Sequence, residues 1–175
     1  PLQEWLQPEG DRYTDPPLNT IIKVLDAGHI DLIVKEVGHG MGPKSLLSLM
    51  KLPLKAIEFA AYGGTNFSKI ELERNPDKSL DPLAFVGHTA EQMIHYTNEI
   101  ITLNNKIGCK NFIISGGIKN FLDGFHLIHL SKGNAVYGQA SGFLQHSTDS
   151  YEQLQTYIKS QINGLALANQ LLDKK

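Results

Sequence analysis

Cysteine is almost missing from this chain. Cys109 is the only one in 175 residues, so no disulfide can form within the chain, and a reducing, cytoplasmic setting is expected. An excess of either charge is missing too. The formal net charge is −2, which excludes a basic surface of the size that nucleic acids require. No apolar run approaches the roughly 18 residues of a membrane helix, and no secretory signal opens the chain. Although there are seven histidines, no Cys/His group has zinc spacing. An initiator methionine is lacking as well: Pro1-Leu2-Gln3-Glu4-Trp5 reads as the interior of a longer protein.

Hydrophobic residues make up 41% and charged residues 19%, a globular composition with enough apolar surface for one core. Leu18, Ile21, Ile22 and Leu25 recur at helical spacing before Gly28. The run Leu32–Val37 then reads as a buried strand, and Gly38-His39-Gly40 as its loop. Pro43 suits the first turn of a helix carrying Leu46, Leu47, Leu49 and Met50, with Pro53 as its stop. The unit repeats. A strand over Ala56–Ala61 enters Tyr62-Gly63-Gly64-Thr65-Asn66, and a long polar loop leads to a helix from Thr89 with Met93, Tyr96, Ile100, Leu103 and Ile107 on one face. A strand over Asn111–Ile114 enters Ser115-Gly116-Gly117, and Asn120 caps a helix running to Gly133. A strand over Ala135–Gly138 enters Gln139-Ala140-Ser141-Gly142. The last helix starts near Asp149, with Tyr151, Leu154, Ile158, Ile162 and Leu165 as its stripe.

Four strand–loop–helix units with mostly apolar strands predict an α/β chain with a parallel sheet. Because every strand ends in a small-residue loop, a (β/α)8 TIM barrel is expected rather than an open sheet, this chain covering roughly strands 5 to 8. Four units alone would leave two sheet edges and an inner face uncovered. The N-terminal half of the barrel is therefore expected as a partner, upstream or on another chain, with 1–175 as the C-terminal half of a single domain.

Lys35 is the first candidate for chemistry. A lysine near the end of an apolar strand must either pair with a carboxylate or contact an anionic or electron-rich ligand at a barrel mouth. The loops Ser115-Gly116-Gly117-Ile118 and Gly138–Gly142 follow consecutive strands, where backbone N–H groups suit a phosphate. Thr65 could donate to such a ligand or cap its own turn. Gln3 and Glu4 sit where a preceding strand is expected to end. A carboxylate there suits Mg²⁺ beside a phosphate, or is simply a solvated terminus. His39 lies in the loop after Lys35. His126 and His129 share a helix face that is expected to lie away from the mouth.

Pro1-Leu2-Gln3-Glu4, Gln7-Pro8-Glu9-Gly10-Asp11-Arg12, Val34-Lys35-Glu36-Val37-Gly38-His39-Gly40-Met41, Gly63-Gly64-Thr65-Asn66-Phe67 and Ser115-Gly116-Gly117-Ile118 occur in this order. In these motifs the chain resembles the type 2 isopentenyl-diphosphate isomerases, over about the second half of that family's length. The resemblance implies an FMN-binding barrel that uses reduced FMN, Mg²⁺ and NADPH to convert isopentenyl diphosphate to dimethylallyl diphosphate. It implies that Gln3 contacts substrate, that Glu4 ligates magnesium, that Lys35 lies beside the pyrimidine side of the flavin and that Thr65 touches it. Gly116, Gly117 and Ile118 match one phosphate loop, Ala140 and Ser141 the other. A homo-oligomer is expected. The chain carries Ala60 where the family often has serine, and Lys119 where it often has arginine. An FMN-dependent 2-hydroxy-acid oxidase, or an inactive half-barrel, are the alternatives. The oxidase would need a rim histidine and arginine, for which His39 and Arg12 are the candidates.

Overall fold

A computed structural model describes residues 2–28 and 30–173. Its first element is a short helix, α1 (Leu2–Leu6), followed after a proline-rich loop by α2 (Pro17–Ala27). Strand β1 (Ile33–Lys35) leads to α3 (Pro43–Met50), and β2 (Ala56–Glu58) to α4 (Phe67–Arg74) and a 3-10 turn over Asp81–Phe85. Then come α5 (Ala90–Leu103), β3 (Asn111–Ser115), α6 (Phe121–Leu130), β4 (Asn134–Gly138), α7 (Ser141–Asp149) and α8 (Tyr151–Leu171).

The strands form one parallel sheet in the order β1-β2-β3-β4, as the repeated strand–helix pattern predicts. Register assigns the two faces. Val34, Ile57, Phe112 and Ala135 lie in one row and Ile114 faces Tyr137, all pointing into the layer of helices. There they meet Leu46, Leu49 and Met50 of α3 and Met93, Ile94 and Ile100 of α5, forming the main core. The Phe59 and Phe112 rings sit 5.6 Å apart within it. The opposite row contains Lys35, Glu58, Ile113 and Val136, with Ile33 beside Ala56 one row below. No described helix covers that side fully: Ile33 is 48% and Val136 61% exposed.

Several boundaries differ from the sequence reading. Residues 2–6 form a helix, not the end of a strand. Leu2 and Leu6, four apart, close a small apolar cluster with Leu72, Leu83 and Ala84, and that docking is what the local sequence does not reveal. The long loop after β2 contains α4, capped by the Asn66 side chain, which accepts from the Lys69 amide at 2.9 Å. Ser141 and Gly142 open α7 and are not loop residues. Helix α5 ends at Leu103, which is exposed, and α6 ends at Leu130. On α8 the inward face runs through Leu154, Tyr157, Leu165 and Ala168, while Tyr151 and Ile162 face solvent. Among the described residues no helix is long and apolar enough to cross a membrane.

Candidate functional site

All four strands run the same way, so their C-terminal ends make one edge: Lys35 stands opposite Glu58, and Ser115 opposite Gly138. The loops leaving this edge interlock through their glycines. Gly38, at φ +118°, lies so close to the Thr65 backbone that a side chain at this position would overlap its carbonyl. A β-carbon on Gly63 would lie 3.2 Å from the α-carbon of Gly117, and one on Gly64 3.2 Å from that of Gly116. Lys35, the Thr65 loop and Gly116-Gly117 therefore share one rim, as the sequence led one to expect.

A polar ladder crosses the open face of the sheet at this rim. Lys35 Nζ donates to Glu58 Oε1 at 2.6 Å, and Ser115 Oγ donates to the same oxygen at 3.0 Å. Ser115 Oγ in turn accepts the Ala60 amide at 3.1 Å. The ion-pair reading of Lys35 is thus realised, with Glu58 as the partner. The Lys35 side chain is still 55% exposed, and its ammonium has further N–H donors to offer. Sequence reasoning passed over Glu58. The signal was there: a carboxylate in an apolar strand, on the parity that brings it beside Lys35.

The loop after β1 is built on a second carboxylate. Glu36 Oε2 accepts from the amides of Gly38, His39 and Gly40 at 2.7, 2.7 and 3.0 Å, which folds the glycine turn around it. His39 is 7% exposed. Its Nε2 is 3.0 Å from Asn66 Oδ1, and its Nδ1 bonds the Val86 carbonyl. The strap before α5 joins the same system, since His88 N donates to His39 O at 2.7 Å and Tyr62 N to His88 O at 2.9 Å. Both ring nitrogens of His39 are engaged, and Arg12 donates to the carbonyls of Gln7 at 2.6 Å and Glu4 at 3.3 Å. The rim histidine and arginine that a 2-hydroxy-acid oxidase would need are committed to structure.

The candidate anion loops follow β3 and β4. Gly116 and Gly117 take φ of +94° and +76°, in the left-handed region. Among the described residues, no hydrogen bond uses the amides of Gly116, Gly117 or Ile118. The Ile118 side chain is anchored in the core. The amides that follow are taken: Lys119 N donates to Asp123 Oδ2 at 2.9 Å, and Asn120 Oδ1 accepts from Leu122 and Asp123. Ala140 gives α7 no side-chain cap, so the first-turn amides of Ser141 and its neighbours stay available. Gln139 Nε2 joins the two loops, donating to Lys119 O at 2.6 Å and Tyr157 Oη at 2.5 Å. Unbonded amides on loops that leave two adjacent strands could receive the phosphate of a ligand such as FMN.

Thr65 itself is exposed, and its turn is capped by Asn66. Gln3 and Glu4 are carried by α1, which packs on α4. Gln3 Nε2 donates to Glu71 Oε1 at 2.8 Å, and Glu4 Oε1 accepts the Tyr13 amide at 3.2 Å. Among the described residues no three His, Cys, Asp or Glu side chains form a group that could hold a metal. Glu4 therefore fits Mg²⁺ only as one ligand among water and substrate oxygens. On α6, His129 Nδ1 is engaged by the Phe125 carbonyl at 2.8 Å, which orients the ring and leaves Nε2 for any other partner.

No family model matches the chain. Among curated proteins it is similar to one named isopentenyl-diphosphate delta-isomerase from Staphylococcus aureus, 29% identical over 178 aligned positions, covering 99% of this chain and 48% of the relative. A protein of the same name from Synechocystis sp. is 26% identical over 176 positions, covering 96% of this chain and 47% of the relative. The chain spans about half the length of the curated relatives it matches.

Proposed function

We propose that this chain is the C-terminal half of an FMN-binding (β/α)8 barrel, and that the whole protein is a type 2 isopentenyl-diphosphate isomerase converting isopentenyl diphosphate to dimethylallyl diphosphate. The observation that carries this reading is the shared rim, where Lys35, the Thr65 loop and the unbonded amides of Gly116–Ile118 converge. The similarity of the whole chain to proteins of that name adds the substrate. The barrel is supported by the open sheet face and by a cleft of about 500 Å³ along β1, between α2 and α3, where a further strand would fit.

Each side chain has a task in this reading. The amides of Gly116, Gly117 and Ile118, with the first turn of α7 at Ala140 and Ser141, receive the FMN phosphate. Lys35 sets charge beside the ring, and Thr65 contacts it. Bound FMN, once reduced by NADPH, would supply an electron-rich ring with exchangeable protons. Glu4 holds Mg²⁺, which offsets the charge of the substrate diphosphate. Gln3 has its amide nitrogen committed to Glu71, so its carbonyl oxygen remains to accept a hydrogen bond. A neutral amide is too weak an acid to move a proton alone, and Gln3 positions or relays. The reaction is redox-neutral: one proton is added to the terminal alkene carbon and one is lost from the allylic carbon. A reducing, cytoplasmic enzyme that works as a homo-oligomer completes the proposal.

The test is to express the full-length protein, supply FMN, NADPH, Mg²⁺ and isopentenyl diphosphate, and follow product by mass spectrometry. Conversion that stops when Mg²⁺ is chelated or the flavin is left oxidised is expected. A protein that binds FMN but oxidises lactate or glycolate would overturn the isomerase assignment, and a full-length protein that binds no FMN would overturn the flavin reading as well.

A further inference from the structure

We propose that Glu58 is a positioning residue for Lys35: it fixes the ammonium at the rim, offsets its charge, and ties it through Ser115 to the turn that opens the anion cradle. The inference rests on the flavin reading above and deepens it.

Register brings the three side chains together. Lys35 and Glu58 are direct partners across β1 and β2, while Ser115 stands two residues beyond Ile113, the partner of Glu58 on β3. All three project from the same face. One carboxylate oxygen takes both donors, at 2.6 Å from Lys35 Nζ and 3.0 Å from Ser115 Oγ. Lysine is a point charge on a flexible four-carbon stem, which holds no fixed position unless something binds it. Ser115 directly precedes Gly116, so the same oxygen couples the ammonium to the start of the cradle.

The charge balance has a consequence of definite sign. With Glu58 in place, a ligand at the rim meets a dipole rather than a lone cation. Such a pair is screened while the sheet face is open and interacts more strongly once that face is enclosed. Adding electrons to a flavin places negative charge on its pyrimidine side, so nearby positive charge favours the reduced form. Removing the carboxylate must favour reduction, and removing the ammonium must oppose it. A role in packing alone predicts no such opposition.

The experiment uses the full-length protein with FMN bound, and reads the flavin midpoint potential against reference dyes. Glu58→Gln is expected to make the potential less negative and Lys35→Met more negative, with the double variant between them. In the isomerase assay Glu58→Gln lowers kcat by about ten- to a hundredfold, the cost of a catalytic group displaced by about 1 Å, with KM for isopentenyl diphosphate little changed. Glu58→Asp, which keeps the charge, is expected to leave the potential near that of the parent and recovers it if Glu58→Gln folds poorly. If Glu58→Gln leaves the potential unmoved, or moves it the same way as Lys35→Met, the inference fails while the flavin reading stands. If the parent protein binds no FMN, both fall.

Discussion

Gly64 and Gly116 meet backbone to backbone: a β-carbon on the first would lie 3.2 Å from the α-carbon of the second. Two loops leaving neighbouring strands are held together by the absence of side chains. Gly116 is the less replaceable of the two, since it also takes φ +94° and a β-carbon there would stand 2.7 Å from the Ala61 carbonyl carbon. Gly116→Ala is expected to destabilise the fold by about 2–5 kcal/mol, combining a left-handed backbone at about 1–2 with overpacking at about 1–3. Gly64→Ala should cost clearly less. Urea unfolding of both variants checks this, and equal midpoints would show that the loops do not meet in this way.

Asn66 binds three segments at once. Its Oδ1 accepts the Lys69 amide at 2.9 Å and faces His39 Nε2 at 3.0 Å, while its Nδ2 donates to Ala84 O at 2.6 Å. Asn66→Ala removes a helix cap worth about 1 kcal/mol and two further hydrogen bonds of about 1 kcal/mol each. A loss near 3 kcal/mol is expected, with hydrogen exchange quickening across residues 38–40 and 84–88 as well as α4. Quickening confined to α4 would mean that the residue is only a cap.

Among the described residues, Ala60 is the only non-glycine one with a positive φ, +40°. The strain lies where the β2 loop turns beneath the rim, with Gly40 N donating to Ala60 O at 3.2 Å. Ala60→Gly relieves about 1–2 kcal/mol of left-handed strain and loses about 0.4–1 kcal/mol through the freer unfolded chain. Thermal unfolding should therefore show a small gain in stability, and a clear loss would mean that the turn is not strained.

Burial raises the Cys109 thiol above its ordinary value of 9.0, and burial, with Tyr157 as the smaller cause, raises Tyr137 above 10.0. The folded state then binds more protons than the unfolded state in alkaline solution, so stability is full below pH 9 and falls as pH rises past it. Urea midpoints from pH 8 to 11 are expected to decline in that window. Cys109→Ala should move the onset towards pH 10, the value at which tyrosine begins to contribute. A flat profile would contradict the burial of both groups.

Much of this could be read along the chain. Helical stripes such as Leu18-Ile21-Leu25, and apolar runs each followed by a glycine turn, announce parallel strands joined by helices, because periodicity reports which side of an element is buried. The rim was legible for the same reason: all strands of a parallel sheet end on one edge, so Lys35, Thr65 and Gly116-Gly117 had to gather there.

What local pattern could not express is contact between segments. Gln3 and Glu4 sit on a helix because Leu2 and Leu6 find the apolar surface of α4, and Gln3 meets a carboxylate 68 residues away only after that docking. His39 looked available from its loop, yet is buried because two distant oxygens, on Asn66 and Val86, converge on its ring. The partner of Lys35 depended on the register of β1 against β2, and a shift of one residue would have turned Glu58 to the other face. The order and kind of the elements follow from the chain's own periodicity, whereas pairings across tens of residues exist only once packing sets register and brings those segments together.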